Sequence, residues 1–228
     1  MARTLTRLQA LLAGGAFTLA GIGGVTTAAL SDNPTPAPAA VASAASAVAP
    51  AASVVDTPVA ASAPSQEQLH PVQVTGAQKT FTPDAEQLAN AKAIVDAGKA
   101  LGLAPRAWTI AVATSLQESN LHNIGHLGAR NDHDSQGLFQ QRPSSGWGTP
   151  EQITDPTYAA TAFYQGTDAN RGLTDVAGWQ DMPLTKAAQK VQVSAYPEHY
   201  AKHETQAGDI IAAVHGEGPY AGLATNLS

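Results

Sequence analysis

The chain has 228 residues, a formal charge of −6, 13% charged residues and no cysteine. Disulfides, thiol catalysis and cysteine-ligated zinc are therefore excluded. An acidic chain with no cluster of Lys and Arg is also unsuited to phosphate backbones, so nucleic acid is not an expected partner.

The N-terminus carries Arg3 and Arg7, then an uncharged run over residues 8–31 with small residues gathered at Thr27, Ala28 and Ala29. This pattern predicts a signal peptide or a retained membrane anchor over 1–31. The glycines Gly14, Gly15, Gly21, Gly23 and Gly24 lower its hydrophobicity and favour cleavage. Residues 32–79 are rich in Ala, Pro, Ser and Val and hold few large apolar groups, the composition of a disordered, extended linker. Any membrane association is expected only through the N-terminal segment.

Residues 80–215 are predicted to form one mainly α domain, followed by a flexible tail at 216–228. Thr82-Pro83 supplies an N-cap and a first-turn proline ahead of Leu88, Ala91, Val95, Gly98 and Leu101 at helical spacing. A second helix is predicted from Pro105 to about Leu121. It carries no charge between Ala107 and Gln117 and so should be buried on most sides. A polar loop over 122–136 leads into Gly137-Leu138-Phe139-Gln140. Thr149-Pro150-Glu151-Gln152 reads as a capping box, and Asp155-Pro156 as the start of a helix containing Tyr158, Ala162 and Phe163. Leu184, Ala188, Val191 and Ala195 mark another helix. Pro197 is expected to open the last, with Tyr200, Ala207, Ile211 and Val214 inward.

Glu118 is the residue that asks for a chemical explanation. It shares a helix face with Ala107, Ile110, Ala111, Thr114 and Leu121, so a carboxyl continues an apolar stripe. Burial disfavours its ionised form, and a carboxyl kept protonated can give a proton to a departing sugar oxygen. A plain structural role, capping the domain or pairing with Arg130 or Arg142, explains the same position.

The runs Leu116-Gln117-Glu118-Ser119-Asn120-Leu121 and Asp134-Ser135-Gln136-Gly137-Leu138-Phe139-Gln140-Gln141 resemble the lytic transglycosylase branch of the lysozyme-like superfamily. Residues 91–200, with Gln141-Arg142-Pro143 through Trp147-Gly148 and Ser194-Ala195-Tyr196-Pro197, look like actinobacterial secreted transglycosylase-like domains. The resemblance implies a lysozyme-like helical domain that cleaves the bond between N-acetylmuramic acid and N-acetylglucosamine in peptidoglycan strands. It implies Glu118 as catalytic acid and base, supported by Ser119. Gln140 would line the cleft, and Tyr196 would stand for the family's late tyrosine. The sequence departs from the family in its longer, His/Asp-containing loop and in Ala195-Tyr196-Pro197-Glu198-His199, where the family has Ala-Tyr-Asn-Ala-Gly. No cofactor is implied, and the chain is read as a monomer.

Two other classes stay open. A hydrolytic muramidase would use Asp132 or Asp134 to activate water, although a turn rich in Asn and Asp accounts for both residues. A non-catalytic wall-binding module would keep the groove without turnover. The segment Asp132-His133-Asp134-Ser135-Gln136-Gly137 resembles the start of a calcium loop, but Pro143 stands where the closing Glu belongs. His122/His126 and His199/His203 are i, i+4 pairs without an adjacent Glu, so no metal site is expected. Among Phe139, Trp147 and Trp179, only Phe139 is expected to touch sugar.

Overall fold

In the computed structural model, residues 62–128, 133–225 and 227 are described. The expected signal or anchor segment and residues 32–61 of the expected linker lie outside them. The described residues belong to the unit Thr57–Ser228, which is built from helices; among them no strand occurs, only the isolated bridges Gln136–Gln141 and Gly166–Arg171. None of the described helices is long and apolar enough to cross a membrane.

Among the described residues seven α-helices follow one another: α1 Gln66–Leu69, α2 Ala85–Ala100, α3 Pro105–Ser119, α4 Pro150–Ile153, α5 Pro156–Gln165, α6 Leu184–Gln192 and α7 Glu204–Val214. Helix α3 is the centre, and every residue from Arg106 to Leu116 is buried, as its uncharged sequence requires. Helices α2, α6 and α7 all pack on it. The α2 cap falls two residues later than predicted. Asp84 accepts from the Gln87 amide at 2.9 Å and Gln87 answers to the Asp84 amide at 2.8 Å, which satisfies two donors that Thr82 does not reach. The box at Thr149 and the cap at Asp155 form where the sequence places them.

Packing is close where side chains are smallest. A Cβ at Gly98 of α2 would lie 2.5 Å from the Trp108 ring and 3.1 Å from the Tyr164 hydroxyl. Tyr164 is fully buried and donates to the Ile94 carbonyl, joining α5 to α2.

The end of the expected linker belongs to this packing. Leu69 of α1 is fully buried, its carbonyl accepts from Arg106 Nη1, and Lys79 donates its amide to the Lys202 carbonyl. Arg106 also donates to Glu204 at 2.5 Å and to the Met182 carbonyl. One buried ion pair thereby ties α1, α3, α7 and the approach to α6 together. The expected tail likewise carries a 3₁₀ turn, Ala221–Leu223, with Tyr220, Ala224 and Leu227 against the core. Apolar residues that are scarce in these flanks still find the core because each is placed beside it.

Helix α6 stops at Gln192, with Val193 left-handed (φ 50°), so Ala195 falls outside the helix predicted for it. The last helix opens at Glu204 rather than Pro197, after the 3₁₀ turn Ala201–His203.

Candidate active site

The last turn of α3 brings Glu118 to the floor of a cleft of about 570 Å³. Asn120 and Leu121 both adopt left-handed backbone (φ 55° and 60°), an uncommon choice for residues other than glycine. They hold it because Gln87 and Asn90 of α2 donate to their carbonyls at 2.8 and 2.7 Å and because the Leu121 side chain is fully buried. The bend therefore ends α3 one residue after the acid and lets the chain leave the helix axis there.

A tight turn, Gly137 to Gln140, forms another wall. At Gly137 (φ 73°) a Cβ would sit 2.0 Å from the Ile153 carbonyl oxygen, so only glycine fits. Ser119 Oγ donates to the Leu138 carbonyl at 2.8 Å, and Gln192 Nε2 donates to the Phe139 carbonyl at 2.9 Å. The turn is thus held between the ends of α3 and α6.

Burial raises the Glu118 pKa above the ordinary glutamate value. Its place at the C-terminal end of α3, where the helix carbonyls point, disfavours the anion further. Two donors pull the other way. The Tyr200 hydroxyl donates to Oε1 at 2.7 Å, and the nearby Gln192 amide, which donates to the Phe139 carbonyl, also lowers the carboxyl's pKa. The Tyr200 hydroxyl itself is held neutral, chiefly by burial and then by the facing carboxylate. This arrangement gives a carboxyl that remains protonated at higher pH than usual yet has donors ready for the anion.

The structure brings some of the expected residues to Glu118 and leaves others aside. Gln140 lines the cleft in a left-handed conformation (φ 49°), with its amide on the Gly137 carbonyl at 3.1 Å. Tyr196 lies on the rim, 64% exposed and stacked on His199 at 4.9 Å. The tyrosine that reaches the acid is Tyr200, because the chain turns away at Val193 and returns to Glu118 seven residues later. Ser119 is buried behind the turn and braces it rather than facing a substrate. Phe139 is 1% exposed and stacks on Phe163 at 4.7 Å, so its ring belongs to the core and not to a sugar contact. Trp147 and Trp179 are also buried.

Asp132 lies outside the described residues. Asp134 does not line the cleft. Its carboxylate accepts from the Ser144 amide at 2.7 Å, from Ser144 Oγ at 2.8 Å and from Arg142 Nε at 3.0 Å. The Ser144 amide above all, then Arg142, holds its pKa far below the usual carboxylate range. Such a group is a weak base, and its geometry is that of a clamp on the Pro143–Ser145 turn.

The histidine pairs separate. His122 faces Glu86 at 3.1 Å, while His126 accepts from the Gly128 amide. His199 is exposed on Tyr196, whereas His203 is buried with Nε2 3.3 Å from Gln117 Oε1, so the two do not share a helix face. Among the described residues no group of three His, Asp or Glu side chains is disposed to hold a metal.

Tyr200, Gln192 and Gln117 were not legible as site residues. Tyr200 carried only an inward-facing signal, which a core tyrosine shares, and the two glutamines look like ordinary helix-surface positions. No family model matches the chain, and no curated protein matches it either.

Proposed function

We propose that this protein cleaves peptidoglycan glycan strands as a lytic transglycosylase, with Glu118 as general acid and then general base. The observation that carries the reading is a protonation-biased carboxyl on the floor of an open cleft, bonded by Tyr200 and accompanied there by no other carboxylate among the described residues. Its sequence setting supports the same reading, since Glu118-Ser119 and Gly137-Leu138-Phe139-Gln140 resemble the transglycosylase motifs.

Glu118 gives its proton to the oxygen between N-acetylmuramic acid and N-acetylglucosamine as that bond breaks. The carboxylate so formed is met by the Tyr200 hydroxyl and the Gln192 amide. It then takes the proton of the muramyl C6 hydroxyl, whose oxygen closes on the anomeric carbon to give a 1,6-anhydro ring. One carboxyl serves both steps, and no water requires activation. Export is part of the proposal, resting on Arg3, Arg7 and the uncharged run that follows.

The test is mass spectrometry of fragments released from purified cell wall. Anhydro ends support the proposal. Reducing ends would make the enzyme a hydrolase, and no fragments at all would make it a binding module.

A further inference from the structure

Besides Glu118, one charged side chain among the described residues lines the cleft, that of Arg142. A neutral glycan offers a guanidinium oxygens to bond but no partner of opposite charge. An otherwise acidic chain nevertheless places this cation on the wall and fixes it there. Arg142 Nε donates to Asp134 Oδ1 at 3.0 Å, and Nη2 reaches Ser144 Oγ at 3.4 Å. Asp134 is in turn anchored by the Ser144 amide. The clamp orients the fork while using only part of it, and Nη1 makes no hydrogen bond with a described residue. The side chain is 37% exposed, so it is accessible to a ligand.

We infer that Arg142 is a specificity-determining residue that receives a carboxylate carried by the glycan as it lies over Glu118. This rests on the glycan-cleaving reading of the same cleft. A planar, pre-oriented guanidinium suits a carboxylate better than a lysine would, because two parallel N–H donors match two oxygens. Two parts of a muramyl unit carry that group: the lactyl ether of an unsubstituted sugar and the free end of an attached peptide. Asn170 and Gln140 line the same cleft, with their amide nitrogens held on the Ser145 and Gly137 carbonyls.

The experiment measures binding to the full chain of four probes: N-acetylmuramic acid, its methyl ester, muramyl dipeptide and neutral chitotetraose. Wild type is compared with Arg142→Gln and Arg142→Lys. A partly exposed charge-assisted contact predicts a carboxylate advantage of about 3- to 10-fold in wild type. Arg142→Gln should abolish that advantage, read as the ratio of acid to neutral-probe affinity whatever the change in chitotetraose binding, and Arg142→Lys should retain part of it. Preference for the free acid over its ester assigns the lactyl group; preference for muramyl dipeptide alone assigns the peptide end. Because Arg142→Gln also loosens the Asp134 clamp, a salt titration of wild type provides a reading without any variant. The advantage should shrink as salt rises. Chitotetraose binding with no carboxylate advantage, an advantage that survives in folded Arg142→Gln, or one indifferent to salt overturns the inference and leaves the Glu118 reading intact. No binding of any probe removes both.

Discussion

Glu118 and Tyr200 set opposing influences on one proton, and under the proposed function the balance between them governs the pH range of turnover. Burial raises the carboxyl's pKa and the Tyr200 hydroxyl lowers it. The acid must be protonated at the start of each cycle, so activity declines as pH rises through that raised value. Tyr200→Phe removes a donor to the anion, which lifts the Glu118 pKa further. The alkaline limb of kcat should move to higher pH, and kcat should fall about 10- to 100-fold, the scale of a charge-assisted hydrogen bond. A pH–rate profile of the folded variant checks both effects. His203 makes a separate prediction. Burial first, then Lys202 and Lys79, pushes its pKa down to about 4. The unfolded chain binds the proton more readily, so folding loses stability as pH falls from about 6.5 toward 4. Melting curves across that range should show a weaker acid slope in His203→Gln, whatever its offset at neutral pH. Glu118 stood out in the sequence because a carboxyl continues an apolar stripe there, and the resemblance of its Glu-Ser setting favoured a chemical role over a structural one. Tyr200 did not, since an inward tyrosine usually packs, and Phe139 misled because its motif placed it beside the cleft while its ring turned to Phe163.

Elements were legible where caps and buried stripes coincide. Thr149 and Asp155 each sit before a proline with a bonding partner three residues on, and both helices start there. The uncharged run after Pro105 forms α3, since a helix satisfies its own backbone while burying all sides. Boundaries failed where a tertiary contact decides them. Asp84 displaces Thr82 because Gln87 completes its box, and Val193 ends α6 although Ala195 continues the apolar spacing. The Gly137 turn is the element on which the site depends most. Gly137→Ala adds left-handed strain and a clash with the Ile153 carbonyl, 2.0 Å from the new Cβ. The predicted loss is above about 3 kcal/mol, the sum of typical costs for strain and overpacking. Denaturant unfolding of the variant measures it.

At the scale of the molecule, composition separated a low-complexity N-terminal part from a helical domain but set their boundary too late. Residues 66–79 read as tether because they hold few large apolar groups, yet Leu69 fills a buried position and its carbonyl meets Arg106. A segment so poor in apolar groups reveals its docking only through partners far along the chain. A chain beginning at residue 80 should therefore melt several degrees below one beginning at residue 62. The lost Leu69 burial alone is about 1.5–3 kcal/mol. Thermal melting of the two chains compares them directly.

The central claim is that Glu118 carries the proton. Turnover of purified peptidoglycan by Glu118→Gln, measured beside its thermal melting, tests it most directly. Glutamine keeps the size and the hydrogen bonds but cannot give or take the proton, so turnover should fall by about 10²- to 10⁴-fold. Near neutral pH the melting temperature should hold or rise, because a group whose raised pKa disfavours the folded anion has been replaced by a neutral one. Undiminished turnover in a folded Glu118→Gln variant would contradict the account.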